Sequence, residues 1–147
     1  MRLTKQTGHA IRILTDCANA NGALVKVADI AKRLDLTKQN AFKIVHILSR
    51  AGFVAAVRGP SGGVRLAARP EDIRVGDVVR AIEVTDVRVQ RDGATGAPAA
   101  GAGVNAMLDD ALGAFIAVLD QHSLADLASA QLQPERKPAS NEQTRTS

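Results

Sequence analysis

The sequence has few aromatic residues and almost no cysteine. Among its 147 residues are no Trp, no Tyr, three Phe and one Cys, although hydrophobic residues make up 46%. A core must therefore be built from Ala, Val, Ile and Leu, and abundant Ala and Leu favour helices. Because a single cysteine, Cys17, cannot form an intramolecular disulfide, the composition fits a reducing compartment.

Long apolar segments are also missing from the sequence. It contains no run of about 18 apolar residues, which argues against a membrane span. No apolar signal-peptide stretch follows the first residues, Met1–Lys5. We therefore expect a cytoplasmic protein without a membrane partner, with the size of one domain or of one domain plus an appended element.

Charge is unevenly distributed along the chain, whose formal net charge is +4. Residues 1–74 contain 13 Lys and Arg against 5 Asp and Glu, a net charge of +8. Residues 75–147 contain 6 Lys and Arg against 10 Asp and Glu, a net charge of −4. This asymmetry suggests that the first half binds a polyanion, although a merely well-solvated surface would give the same counts.

Apolar spacing predicts three helices in the first third of the chain. The first spans about residues 6–20 and the second residues 27–34. After a tight turn at Asp35–Leu36, Thr37 is a good N-cap for the third helix, because its hydroxyl can accept a backbone N–H of the first turn. This third helix is predicted to run to Ala51.

A hairpin, a fourth helix and a long C-terminal helix are predicted after these three. Strands at residues 53–57 and 64–66 flank a turn rich in Gly and Pro, and a helix follows over residues 75–82. Residues 84–103, with four Gly and few large apolar side chains, are predicted to form a flexible linker. The segment over residues 104–130 is predicted to be a dimerisation helix, whose periodic pattern runs from Val104 to about Ala128. A polar tail over residues 131–147 is predicted to be disordered.

Two helices joined by a short turn and followed by a hairpin predict a winged helix-turn-helix, a DNA-binding architecture, over residues 1–83. One side of the third helix is apolar and should pack inward: Ala41, Ile44, Val45, Leu48 and Ala51. The opposite side can read adenine with amide groups, contact a thymine methyl with an apolar group, and neutralise phosphates with basic groups. The candidate DNA-binding residues of this helix are Lys38, Gln39, Asn40, Phe42, Lys43, His46 and Arg50.

The wing adds two candidate DNA-binding residues, Arg58 and Ser61. Glycines at its turn let the backbone approach a duplex closely, and Arg58 could insert into a narrow minor groove. The alternative is a tight hairpin whose arginine is only solvated. Phe42 also has two interpretations, because an aromatic side chain that points away from the core either contacts DNA or covers a neighbouring loop or the wing. His46 is interpreted as a surface or phosphate-side residue.

These segments resemble the Rrf-two family of bacterial repressors, the group that includes IscR, NsrR and RirA. The similar stretches span most of residues 1–128: MRLTKQTGHAIRIL, VADIAKRLDLTKQNAFKIVHILSRAGFV, VRGPSGGVRLA, IRVGDVVRAIE and SLADLA. The resemblance implies a homodimer that binds a palindromic operator, usually as a repressor. It implies DNA contacts at Thr37, Gln39, Phe42 and Arg58, and a dimer interface on the long C-terminal helix.

The C-terminal helix carries an apolar seam with steps of three or four residues. Such a seam would be too exposed on an isolated helix to remain uncovered. The candidate dimer-interface residues are Val104, Leu108, Ala111, Phe115, Val118 and Leu119.

One departure from the family concerns cofactors. Many relatives hold an iron–sulfur cluster with three cysteines between the winged domain and the long helix, and some also use an acidic residue where this chain has Gly8. Residues 84–103 contain no cysteine here, and such a cluster needs thiolate ligands. We therefore expect no cofactor and no metal, and the effector is left open.

Three other hypotheses compete with a plain DNA-binding regulator. Cys17 is either a packed core residue or a redox or nitrosative-stress sensor, since it is the only thiol. His9 and Cys17 lie roughly on one helical face, but no catalytic or phosphate-loop motif accompanies them. We therefore predict that the protein is not an enzyme. A protein-interaction module without DNA binding is the third hypothesis.

Overall fold

The computed structural model describes residues 2–83 and 100–130, and these residues form a mainly helical winged helix-turn-helix. Parts of the predicted linker and all of the predicted tail, residues 84–99 and 131–147, lie outside the described residues. The elements in chain order are α1 Lys5–Asn19, α2 Val27–Leu34, α3 Lys38–Arg50, β1 Val54–Val57, β2 Gly63–Leu66, a 3₁₀ turn Pro70–Asp72, α4 Val75–Ile82, α5 Ala100–Asp120 and α6 Leu124–Ala130.

The core lies between α1, α2 and α3 and is closed by the hairpin and α4. Leu14 of α1, Ile30 of α2 and Leu48 of α3 have no exposed surface. The predicted inner side of α3 is confirmed except at Ala51, which is exposed because it follows the last helical residue. Thr15 is buried as well, and its hydroxyl donates a 2.8 Å hydrogen bond to a backbone carbonyl of the same helix.

Local capping explains where the first three helices begin and end. Thr4 and Thr37 cap α1 and α3, and the Thr37 hydroxyl accepts the backbone N–H of Asn40 at 3.1 Å. Asp35 adopts the left-handed conformation with φ 54° and ends α2, which gives the tight turn between α2 and α3. The predicted helix-turn-helix is therefore confirmed, with boundaries within two residues of those expected from the sequence.

The wing is an antiparallel hairpin in which Val54 pairs with Leu66 and Val57 with Gly63. Its second strand is tied to the segment before α2, because Val25 and Val64 exchange backbone hydrogen bonds of 2.9 and 2.8 Å. Gly63 permits this close approach, since a Cβ there would lie 2.6 Å from the Val25 carbonyl oxygen. The wing is thereby held beside α2 and α3.

The prediction of one uninterrupted C-terminal helix was wrong. α5 begins at Ala100, before the predicted start, and ends at Asp120, and α6 begins at Leu124. The break follows from reciprocal capping, in which the Ser123 N–H donates to the Asp126 carboxylate at 2.8 Å and the Asp126 N–H donates to the Ser123 hydroxyl at 3.2 Å. This Ser-x-x-Asp pattern is a helix-start signal that could have been read from the sequence.

The two C-terminal helices have different surroundings. α6 joins the winged domain, where it packs against α1 and buries Leu124. α5 packs against α4, and Ile116 is its one buried side chain among residues 103–120. Across the described residues, no helix combines the length and apolar character that a bilayer crossing requires.

Candidate nucleic-acid interface

The outer side of α3 presents every predicted DNA-binding side chain of that helix to solvent. Ala41, Ile44, Val45 and Leu48 anchor the inner side and fix its orientation. A helix held in this way can enter a major groove without rearranging the core. The exposed residues are Thr37, Lys38, Gln39, Asn40, Phe42, Lys43, His46 and Arg50.

An open groove of about 650 Å³ separates α3 from the wing. Phe42 and His46 line its α3 side, and Val57 and Arg58 line its wing side. Phe42 is 56% exposed, so the wing does not cover it. A large aromatic side chain left exposed beside basic residues is available for contact with a base or a thymine methyl.

The wing turn places its two candidate residues at the surface. Arg58 and Ser61 are both exposed, and they flank the bend at Gly59, whose φ of 107° suits a residue without a side chain. The structure therefore brings Arg58 to the same groove as the α3 residues, while Ser61 lies farther along the turn.

The basic residues of this surface form no ion pair with an acidic residue in the part of the chain that the structure describes. The ion pairs among residues 2–83 and 100–130 use Arg33, Arg69 and Arg80, none of which belongs to the predicted surface. Lys43 and Arg50 therefore keep their charge available for an external anion such as DNA phosphate.

Sequence reasoning missed one basic residue of the site. Lys26 immediately precedes α2, is exposed, and lines the groove together with Phe42 and Arg58. Its position follows from the backbone pairing of Val25 with the wing, a contact between segments almost 40 residues apart in the sequence. A basic residue at the start of the first helix of a helix-turn-helix was the available clue.

Cys17 lies on the inner face of α1 and has 2% of its surface exposed. Burial, together with the neighbouring Asp16 carboxylate, raises the pKa of Cys17 to about 11, against a smaller opposing effect of Arg33. The structure thus brings a cation near the thiol that helical spacing did not reveal, yet the thiolate is still disfavoured. This geometry supports the packing interpretation of Cys17.

Comparison with known proteins gives consistent results for the sequence and the fold. Residues 3–130 match the Rrf2 family, described as an iron-dependent transcriptional regulator. The chain is 38% identical to protein aau3 of Rhizobium meliloti, covering 90% of this chain and 88% of that protein. It is 33% identical to the HTH-type transcriptional regulator NsrR of Bacillus licheniformis, covering 89% and 94% of the two chains.

A solved structure agrees with the same relationship. The structure of CymR, the global cysteine regulator of B. subtilis, superposes with a TM-score of 0.70 at 25% identity. The superposition covers 88% of this chain and 98% of CymR.

Proposed function

The chain belongs to the Rrf2 family of DNA-binding transcriptional regulators and is not an enzyme, and we propose that it binds a palindromic operator as a homodimer and represses transcription. The observation that carries this proposal is the exposed side of α3, where amide, aromatic and basic side chains lie beside the wing. We propose the cytoplasm as its location, with double-stranded DNA as its partner.

The proposed contacts divide into base-reading and phosphate-binding groups. Gln39, Asn40 and Phe42 face outward on the first two turns of α3, the part of a recognition helix that commonly meets base edges. Lys43 and Arg50 lie farther along and have the charge that phosphates attract. Thr37, Lys38 and His46 complete the contacts from α3.

The wing and the segment before α2 extend the proposed contact surface. Arg58 would enter the adjacent minor groove, with Ser61 near the sugar-phosphate backbone. Lys26 lines the same groove as Phe42 and His46 of α3, and its charge can contact a phosphate. These groups add affinity, while the sequence preference comes from α3.

The proposed homodimer uses the apolar side of α5, which is exposed at Val104, Ala111 and Val118 and half-buried at Leu108, Phe115 and Leu119. Val104 and Val118 are 43% and 55% exposed, and Met107 beside them is 70% exposed. A second copy of the same helix would cover this apolar surface symmetrically, as two-fold dimers do. The proposed interface residues are Val104, Leu108, Ala111, Phe115, Val118 and Leu119.

The family description names iron, and the donor atoms of this chain do not fit a cluster held by three cysteines. The sequence has one cysteine, Cys17, and its thiol is buried on the inner face of α1. Residues 2–83 and 100–130 contain no group of three or more His, Cys, Asp or Glu that could hold a metal ion. We therefore propose regulation without an iron–sulfur cluster.

Selection of bound sites from randomised duplexes, repeated at several salt concentrations, tests the proposed function. We expect recovered sites to be palindromic, with half-sites about one helical turn apart or a multiple of it. Affinity should fall steeply with salt, because phosphate contacts release counterions. Recovery of single, asymmetric half-sites would contradict the dimeric operator, and a random pool with no enriched sequence would contradict base reading by α3.

A redox-sensing role for Cys17 requires the thiol to become accessible. The Cys17→Ser variant and the native protein should bind the selected operator equally well with and without peroxide, because burial and a raised pKa keep the thiol unreactive. Loss of DNA binding on oxidation in the native protein, but not in the variant, would establish the sensor instead.

A further inference from the structure

The contact between α4 and α5 attaches the C-terminal helix to the winged domain. Ile116 of α5 is 5% exposed, and its backbone carbonyl lies close to Gly76 of α4. The turn after α5 is tied to the start of α4, because the Val75 N–H donates to the His122 carbonyl at 3.0 Å. The contacts between α4 and the C-terminal end of α5 therefore set the direction of α5 relative to the winged domain.

Gly76, the second residue of α4, leaves space that an α5 side chain occupies. A Cβ at Gly76 would lie 1.9 Å from a carboxylate oxygen of Asp120 and 3.1 Å from the Ile116 carbonyl oxygen. The Asp120 carboxylate thus lies directly against the α4 backbone. Any side chain at Gly76 would displace Asp120 or move the end of α5 away from α4.

Arg80 holds the same carboxylate from the next turn of α4. Its Nη1 donates to Asp120 Oδ1 at 3.0 Å and its Nη2 donates to Asp120 Oδ2 at 2.5 Å. Nη1 also donates to Asp77 Oδ1 at 2.8 Å, which fixes the guanidinium on α4. Two parallel hydrogen bonds between planar groups define an orientation as well as a distance.

We propose that Gly76, Arg80 and Asp120 form an interhelical joint that sets the direction of α5 and thereby the half-site spacing that the dimer recognises. The Arg80 and Asp120 side chains are partly exposed, at 46% and 34%, so their contribution to stability is small. Their effect is geometric: in a dimer joined through α5, a rotation at this joint changes the separation of the two α3 helices. These are positioning residues, and the inference rests on the proposed homodimer.

The test measures affinity for a panel of duplexes that carry the selected half-site twice, with the spacing varied in steps of one base pair. Gly76→Ala should move the preferred spacing or flatten the preference, so that the affinity ratio between the best spacing and its neighbours falls toward unity. Gly113→Ala is the matched control, because it makes the same change in an α5 position where a Cβ meets nothing within 4 Å. The control should keep the native spacing profile.

Arg80→Ala and Asp120→Asn give a second measurement that does not depend on the fit of a new side chain. Both should broaden the spacing profile while the dimer dissociation constant and the affinity for an isolated half-site remain unchanged. Arg80→Lys should broaden the spacing profile almost as much as Arg80→Ala, because an ammonium group cannot make the bidentate contact.

An unchanged spacing profile in folded, dimeric Arg80→Ala and Asp120→Asn proteins would overturn the joint. A uniform loss of affinity at every spacing would also overturn it, because that pattern reflects a structural role alone. Failure of the proposed function has a different signature, since the native protein itself would then show no preferred spacing.

Discussion

The winged domain and α5 contain similar apolar residues but place them differently. Leu14, Ile30 and Leu48 of the winged domain have no exposed surface, whereas Val104 and Val118 of α5 are about half exposed. Burial follows from the neighbours that each helix has, because α1 is covered by several elements of its own chain and α5 mainly by α4. Apolar residues at helical spacing therefore identify an apolar helix face, but they do not identify the surface that covers it.

Helix lengths explain why α5 is left uncovered. α5 has 21 residues and α4 has 8, which correspond to about 31 and 12 Å of helix. An element less than half as long can cover only part of its partner. The rest of α5 stays partly exposed in the single chain, and the proposed dimer would cover it with a second α5 of the same length and composition.

The largest expected effect comes from charging the exposed side of α5. Val104→Glu combined with Val118→Glu should give a folded monomer, because both side chains are exposed in the single chain and burying two carboxylates per helix in a dimer is costly. A monomer lacks the second, linked DNA-binding domain, so its affinity for the operator should fall about a thousandfold. Sedimentation and DNA titration measure the two effects.

Ala117→Glu is the matched control for this double variant. Ala117 is exposed on another side of the same helix, so the control should remain dimeric. A dimer that persists in the double variant would place the interface outside α5.

The next largest effect separates the two regions by stability. Leu48→Ala should lower the free energy of unfolding by about 2–5 kcal/mol, because it leaves a cavity among fully buried side chains. Val118→Ala, measured under conditions where the chain is monomeric, should change it by less than about 0.5 kcal/mol. Urea denaturation of both variants gives the comparison, and similar losses would mean that α5 is packed as tightly as the winged domain.

A smaller effect concerns DNA recognition, which should depend on α3 and leave the association of α5 unchanged. Gln39→Ala should cost about 1–3 kcal/mol on the selected operator and little on random DNA. Lys43→Ala should weaken binding to all duplexes alike and reduce the salt slope by about one unit. Equal losses on operator and random DNA for Gln39→Ala would contradict its base-reading role.

The smallest expected effect is a pH dependence of the free energy of unfolding, which arises from one carboxyl group of the winged domain. Hydrogen bonds from the Thr7 hydroxyl, and then from the Thr4 N–H and hydroxyl, lower the pKa of Glu83. A carboxyl with a lowered folded-state pKa stabilises the fold fully above its ordinary pKa, and this stabilisation is lost as the pH falls through the lowered value.

Glu83→Gln should therefore lower stability at neutral pH, and its difference from the native protein should shrink as the solution is acidified. Urea denaturation across the acidic range measures the effect, and Glu71→Gln at an exposed position serves as control. The dimer dissociation constant should not change. A difference that stays constant with pH would show that the Glu83 contacts contribute nothing through ionisation.

Most of the winged domain could be predicted from the sequence because its signals are local. Apolar spacing located α1, α2 and α3, the Thr37 hydroxyl marked the start of α3, and the Gly-rich turn marked the wing. The exposed side of α3 followed from the same periodicity, so the candidate residues from Lys38 to Arg50 were predicted correctly as surface residues. The break before α6 was equally local, and the Ser123–Asp126 pattern would have revealed it.

Features that depend on contacts between distant segments could be decided only by the tertiary structure. Lys26 reaches the groove between α3 and the wing through the pairing of Val25 with the wing, and Arg33 comes near Cys17 through the packing of α2 on α1. Gly76 is an ordinary helix residue in the sequence, and its importance appears only when Asp120 lies against it. The sequence by itself determined α1 to α4, the wing and the exposed side of α3, because these depend on neighbouring residues. The groove, the buried state of Cys17 and the α4–α5 contact required the chain to be folded, because they depend on which surfaces meet.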